Sequence, residues 1–189
     1  MKEKDRPMKK RALIAAALVL IALAPACTNK QGESEAPVFL TVDLLDQQGL
    51  TVLNPPRTVT IPSMVITSHL KNPTATDPQG FADVQLNRYT VVYRRADGGT
   101  IVPPVQNFAA GGLIPSGGST TLTDFPIISQ TAIQGSPFDQ LFPFNGGIDR
   151  ETRSNEIRMF YDVTFYGVTA SGHRVQSETS TGLRIFVFE

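Results

Sequence analysis

The stretch IRMFYDVTFYGV, from Ile157 to Val168, carries the clearest structural signal in the sequence. Apolar side chains occupy every second position from Ile157 to Phe165, and polar side chains such as Arg158 and Asp162 lie between them. Successive side chains of a strand point to opposite faces, so this period of two is typical of a strand with one buried face. The sequence therefore predicts a long amphipathic strand at this position.

Four more stretches have the same alternation or a β-rich composition, and no stretch after Cys27 has a convincing period of 3.6 residues. They are Val38 to Leu45, Thr58 to Leu70, Val84 to Arg95 and Arg174 to Phe188. Ser119 to Phe125 adds a shorter strand signal within an otherwise irregular segment. Because many short strands without helices form two-layer or closed sheets, this part of the chain is predicted to be all-β.

Turn-forming residues separate these strands. Asp97-Gly98 follows the third stretch, and Asp-Gly is a strong hairpin signal. Ala170-Ser171-Gly172 separates the last two strands, which are predicted to pair as a long antiparallel hairpin. The chain also holds 15 glycines and 14 prolines. The pattern predicts a two-sheet sandwich of about seven or eight strands, with an eight-stranded β-barrel as the alternative.

The final hairpin, FYGVTASGHRV from Phe165 to Val175, resembles the last two strands of immunoglobulin-like and fibronectin-type-III-like domains of bacterial surface proteins. This architectural resemblance implies an immunoglobulin-like β-sandwich, which we expect over residues 37–189. The cysteine and tryptophan framework of antibody domains is absent, since the sequence has no Trp and a single Cys.

The N-terminus has the three parts of a secretory signal peptide. Six basic residues precede an uncharged apolar run from Ala12 to Ala24, and small residues follow as far as Ala26. This run is too short to cross a hydrocarbon core, which takes about 20 apolar residues. Residues 1–26 are therefore predicted to be a signal peptide that is cleaved after Ala26, with Met1 or Met8 as its start.

The stretch LAPAC, from Leu23 to Cys27, resembles the lipobox of bacterial lipoproteins, in which a Leu and small residues precede a Cys. The resemblance implies that a diacylglycerol is attached to the thiol of Cys27 and that the signal is cut before it. Ala24 stands where the family prefers Leu, and Pro25 is uncommon at its position. The residue after the cysteine is Thr28. In this respect the chain resembles lipoproteins of Gram-negative bacteria that are sorted to the outer membrane and face the periplasm.

Residues 27–36 are predicted to be the lipidated cysteine and a flexible polar tether. The membrane, reached through Cys27, and an envelope protein are therefore the expected partners. Removing the signal leaves 11 basic and 15 acidic residues, a formal net charge of −4 without a basic stripe. This balance argues against nucleic acid as a partner. The pair Arg94-Arg95 at a strand end is predicted to be a solvated edge.

The sequence has no recognisable set of catalytic or metal-binding residues. Its two histidines, His69 and His173, are not accompanied by a nucleophile motif and are predicted to be solvated or hydrogen-bonded. A second group of oxygen-bearing side chains lacks the spacing of a calcium loop and is predicted to be a solvated loop. It comprises Asp139, Asn145, Asp149 and Glu151. We therefore predict that the protein is not an enzyme and uses no metal or cofactor.

The segment from Pro103 to Arg153 is rich in Pro, Gly and Ser, yet it holds five of the 11 phenylalanines. Such aromatic content argues against disorder. One hypothesis is that these rings fold back and close the open end of the sandwich. The other is that some of them form an exposed apolar patch for a partner. The residues of that predicted patch are Phe138, Leu141, Phe142 and Phe144.

Three functions remain open at this point, because a sandwich fold does not decide a function. The first is a membrane-anchored, non-enzymatic domain for protein–protein contact or envelope assembly, which a filled interior would favour. The second is a module that binds a lipid or a small apolar ligand, which a deep cavity lined by phenylalanines would favour. The third and least favoured is a hydrolase, which would need a cleft with two carboxylates or a histidine–carboxylate pair.

Overall fold

The computed structural model describes residues 35–45 and 48–189 of the chain. Nine strands and three short helical segments occupy this part. The strands are β1 Val38–Leu44, β2 Gln48–Val52, β3 Val59–Leu70, β4 Val84–Arg95, β5 Gln106–Ile114, β6 Ser119–Ile128, β7 Glu156–Thr169, β8 Arg174–Gln176 and β9 Ser180–Val187. The helical segments are the α-helix α1 Gln130–Ile133 and the 3-10 helices η1 Phe138–Leu141 and η2 Pro143–Asn145.

The strands form two sheets. One is three-stranded in the order β1-β3-β6, and the other is six-stranded in the order β2-β9-β7-β4-β5, with β8 paired to the end of β7. One of the two sheets curls into a half-barrel. All neighbours are antiparallel except β2 and β9, which run parallel. The prediction of an all-β domain built from two sheets is confirmed.

The core fills the space between the sheets. Strand β7 buries each of its apolar alternate positions, as its period of two predicts. In the middle of the core, the ring of Tyr89 lies 4.0 Å from that of Phe125 and 5.3 Å from that of Phe165, measured between centroids. The Tyr89 hydroxyl donates a hydrogen bond to the carbonyl of Pro126, so the ring crosses the layer and keeps its polar atom satisfied.

The strand registers give the domain two distinct ends. At the proximal end, where the described chain begins, Val38 pairs with Leu70 and Val84 pairs with both Thr169 and Ile114. The distal end is formed by the opposite ends of the same strands. Strand β4 runs between the two ends and is about 35 Å long at roughly 3.3 Å per residue.

Several strand boundaries differ from the predictions. Strand β5 was not predicted, because Ala109, Ala110, Gly111 and Gly112 give it a low β-propensity. Asp97-Gly98 does not form a tight hairpin turn, because β4 ends at Arg95 and β5, which pairs with it, begins only at Gln106.

The last hairpin is also interrupted. The predicted strand from Arg174 to Phe188 is divided into β8 and β9. At the break the backbone N–H of Glu178 donates to the carbonyl of Leu40 in β1, so the chain bridges the two sheets. Ala36, which was assigned to the tether, is buried in the core. The packed domain therefore begins at Ala36, one residue earlier than predicted.

Candidate functional site

Residues 129–155 form a cap over the distal end. The hydroxyl of Ser129 accepts a hydrogen bond from the backbone N–H of Ala132 and so begins α1. Next along the chain, η1 turns Phe138 inward, where its ring lies 4.5 Å from that of Phe186 on β9. Phe138 therefore closes the end of the sandwich, as the first of the two hypotheses predicted for the rings of this segment.

The four residues of the predicted patch differ in their exposure. Phe138 is 0% exposed and Leu141 is 1% exposed, so the prediction that they contact a partner is wrong, because they anchor the cap to the core. Phe142 is buried beneath the surface but forms one wall of a cleft. Phe144, which is 83% exposed, projects from η2 and keeps its place as a predicted contact residue.

A buried ion cluster holds the other half of the cap to β4. The side chain of Arg95 is 1% exposed, and its guanidinium donates to Asp149 at 2.6 Å and to Asp97 at 2.8 Å. Glu151 lies 3.6 Å from the same guanidinium and accepts hydrogen bonds from the backbone N–H groups of Thr100 and Ile101. The predictions of a solvated loop at Asp149 and a solvated edge at Arg95 are therefore wrong.

The cluster keeps its carboxylates ionised. Burial disfavours the charged form of Asp149, but hydrogen bonds from Thr152 and Arg95 outweigh that cost and hold its pKa below the ordinary value of 3.8. Burial acts against Asp97 in the same way, and hydrogen bonds from Arg95 and the backbone N–H of Arg158 again lower the pKa. One cation and its carboxylates thus join β4, the turn that follows it and the start of β7.

An open cleft lies beside the cap and has a volume of about 510 Å³. Phe142 stacks on Phe144 at a centroid distance of 5.5 Å and meets Phe188 edge-on at 5.4 Å. Pro55 and Pro56, from the connection between β2 and β3, form the facing wall. Three aromatic rings and two prolines give the cleft a rigid apolar surface, and the exposed ring of Phe144 extends it outward.

Polar groups surround this apolar surface. The cleft is also lined by Asn54, Gln134, Asp139 and Asn145. Asn54 donates to the carbonyl of Glu189, and Asn145 donates to the carbonyl of Asp139. Within residues 35–45 and 48–189, the buried Oδ1 atom of Asp139 has no hydrogen-bond partner. Because that atom is enclosed by the fold, a ligand of the cleft would contact the apolar rings and the polar side chains at their edge.

The histidines have local structural partners. His69 Nε2 lies 2.9 Å from the hydroxyl of Thr41, and its ring stacks on that of Phe39 at 4.9 Å. His173 Nδ1 lies 3.0 Å from the hydroxyl of Ser171 in the turn after β7. In the described part of the chain, no three side chains of the types His, Cys, Asp and Glu are grouped to hold a metal ion.

The predicted anchor lies outside the described residues, which begin at Glu35. This applies to the cleavage site at Ala26, the lipidation site at Cys27 and the sorting residue Thr28. None of the helices that the structure describes has the length and apolar character to span a membrane. No protein-family model matches the chain, and neither does any curated protein.

Proposed function

We propose that the chain is a bacterial lipoprotein whose non-enzymatic domain contacts a partner protein of the cell envelope through the aromatic cleft. The signal peptide and Cys27 support the anchor. The observation that carries the contact role is the exposed ring of Phe144 above Phe142, Phe188 and the facing prolines. An aromatic surface of this kind outside the core is typical of an interaction site.

The position of the cleft supports this role. The cleft lies at the distal end, whereas the chain from Cys27 enters the domain at Ala36, at the proximal end. A lipid on Cys27 would hold the proximal end towards the membrane, and the cleft would face away from it by the length of the strands, about 35 Å. This position supports a contact with a protein above the membrane surface.

The chemistry of the cleft favours an extended protein segment as the occupant. The interior between the sheets is filled by side chains such as Tyr89, Phe125 and Phe165, which argues against a ligand held inside the sandwich. The cleft is instead open, and it combines an apolar surface with polar side chains such as Gln134 and Asn145. A segment with an apolar or proline side chain flanked by backbone polar groups matches this combination.

The anchor is tested by Cys27→Ala. Metabolic labelling with a fatty-acid probe in a bacterial host, followed by fractionation, should show a labelled, membrane-bound wild type and an unlabelled variant. Thr28→Ala, which keeps the thiol, is the matched control and should be labelled like the wild type. Equal labelling of Cys27→Ala and the wild type would refute the lipoprotein assignment.

The alternative function, binding of a lipid or small apolar molecule, is also supported by the volume of the cleft, which lies within the range of ligand pockets. Native mass spectrometry of the chain purified from envelopes separates the two functions. A stoichiometric small ligand that is lost in Phe144→Ala would favour the alternative. A chain free of such a ligand, together with a crosslinked partner protein, would favour the contact role.

A further inference from the structure

A second concavity lies on the outer face of the six-stranded sheet, close to the proximal end. It has a volume of about 430 Å³, and its lining includes Asn87, Arg88, Tyr166 and Arg174. No carboxylate side chain is among its lining residues in the part of the chain that the structure describes. The concavity is therefore positively charged, on a mature chain that carries an acidic excess.

A bulge in β4 shapes this concavity. The register shifts between Leu86 and Arg88, so Asn87 is an extra residue relative to β7. Arg88 then pairs across the sheet with Tyr166, and its guanidinium lies 4.1 Å from the centre of that ring. Bulges of this kind re-aim a side chain and are common next to functional sites. Arg174 reaches the same concavity from β8, where it pairs with Val168.

Arg94, on the same face of the sheet, is an arginine whose charge is neutralised by a carboxylate of the chain itself. Its guanidinium lies over Phe160 at 5.4 Å and also forms two hydrogen bonds with the carboxylate of Asp162, at 2.8 and 3.0 Å. By contrast, neither Arg88 nor Arg174 has a carboxylate oxygen within 4.0 Å among residues 35–45 and 48–189. Two cations therefore line one concavity without a counter-charge from the described chain.

We propose that Arg88 and Arg174 form a binding site for the phosphate group of a monoester or diester. Two guanidinium groups supply charge and several donors that match the oxygens of a phosphate. The ring of Tyr166 orients the guanidinium of Arg88 by a cation–π contact and restricts its rotamers. The site lies towards the proximal end, so a phospholipid headgroup is one source if the proposed anchor is correct, and a free phosphate compound is the other.

The test compares the chemical reactivity of three arginines within one protein. The full chain, in micelles of a phosphate-free non-ionic detergent, is treated with phenylglyoxal, and modification at Arg88, Arg174 and Arg94 is followed by peptide mass spectrometry. Inorganic phosphate, added at constant ionic strength, should slow modification of Arg88 and Arg174 relative to Arg94. Arg88→Gln should weaken this phosphate dependence at Arg174 about tenfold in concentration, whereas Arg94→Gln should leave it unchanged.

A second arm distinguishes the two sources. The full chain is reconstituted in vesicles of a phosphate-free neutral glycolipid alone or mixed with phosphatidylglycerol. Slower modification of Arg88 and Arg174 with the anionic lipid would assign the site to a headgroup. Protection by inorganic phosphate alone would assign it to a free phosphate compound. Equal rates with and without phosphate and anionic lipid would overturn the proposal, and that result would leave the role of the distal cleft unaffected.

Discussion

The two ends of the sandwich are closed in different ways. At the proximal end two of the connections are tight turns, in which Gly118 donates to Pro115 and Gly172 donates to Thr169. Gly172 has a positive φ of 90°, which a residue with a Cβ adopts only with strain. At the distal end, residues 129–155 form a cap that is held by contacts distant in sequence. Local turn chemistry thus builds one end, and tertiary packing builds the other together with the cleft.

Removing a cap anchor should give the largest effect. Phe138→Ala deletes a fully buried ring that packs on Phe186, and such changes cost about 3–5 kcal/mol of unfolding free energy. Phe81→Ala, at the proximal end, removes a ring that is 59% exposed and should cost less than about 0.5 kcal/mol. Urea denaturation followed by circular dichroism measures both. Similar losses of unfolding free energy in the two variants would contradict the role of Phe138 as an anchor of the cap.

Substitutions of the adjacent arginines of β4, Arg94 and Arg95, should differ nearly as much in their effect on stability. Arg95→Gln leaves the carboxylates of Asp97, Asp149 and Glu151 without their shared cation, and breaking a buried ion pair in this way costs about 3–5 kcal/mol. Arg94→Gln breaks an exposed pair with Asp162 and should leave stability nearly unchanged, because water screens the pair. Thermal melts of both variants at the same pH provide the measurement. A milder effect of Arg95→Gln would mean that the cluster is not a stabilising element.

Acid should weaken the ion cluster at the distal end. The pKa values of Asp97 and Asp149 are lower in the folded chain than their ordinary values. Their stabilising contribution is therefore fully present above the ordinary pKa of 3.8 and is lost as the pH falls through the folded pKa values. Hydrogen exchange at about pH 7 and about pH 3 should show the larger loss of protection at Arg95 and Thr152. In Arg95→Gln the acid dependence should be smaller, and an unchanged dependence would contradict the assignment.

The smallest effect on stability is expected at the cleft. Phe144→Ala should change the unfolding free energy by less than about 0.5 kcal/mol, since the ring is largely exposed. The same variant should reduce crosslinking of the partner protein in intact envelopes. Phe81→Ala, the matched exposed phenylalanine at the other end, should leave crosslinking at the wild-type level. Loss of stability in Phe144→Ala would assign the ring to the cap instead.

The sequence predicted the sheets better than the cap. The alternation from Val84 to Arg95 predicts β4 with its observed limits, because a strand with one buried face has apolar residues at every second position. The burial of Arg95 could not be predicted, since its partners Asp149 and Glu151 are distant in the chain and follow no periodic pattern. Strand β5 was missed because its place beside β4 outweighs its weak β-propensity.

The candidate site was predicted in part. The aromatic content between Pro103 and Arg153 pointed to the correct segment, and Phe144 lies at its surface. Composition alone could not separate Phe138 from Phe144, because only the fold determines which ring faces the core. Pro55 and Phe188 were not predicted to belong to the site, since the connection after β2 and the end of β9 meet the cap only in the folded chain.

The central claim is that the distal end binds a protein while the proximal end is held at the membrane. The most direct test places photo-reactive benzoylphenylalanine at position 144 or at position 81 of the full chain and irradiates intact cells. The account predicts that position 144 gives one discrete crosslinked protein, mapped to an extended apolar segment, whereas position 81 does not capture it. Capture of the same protein from position 81 but not from position 144 would contradict the account.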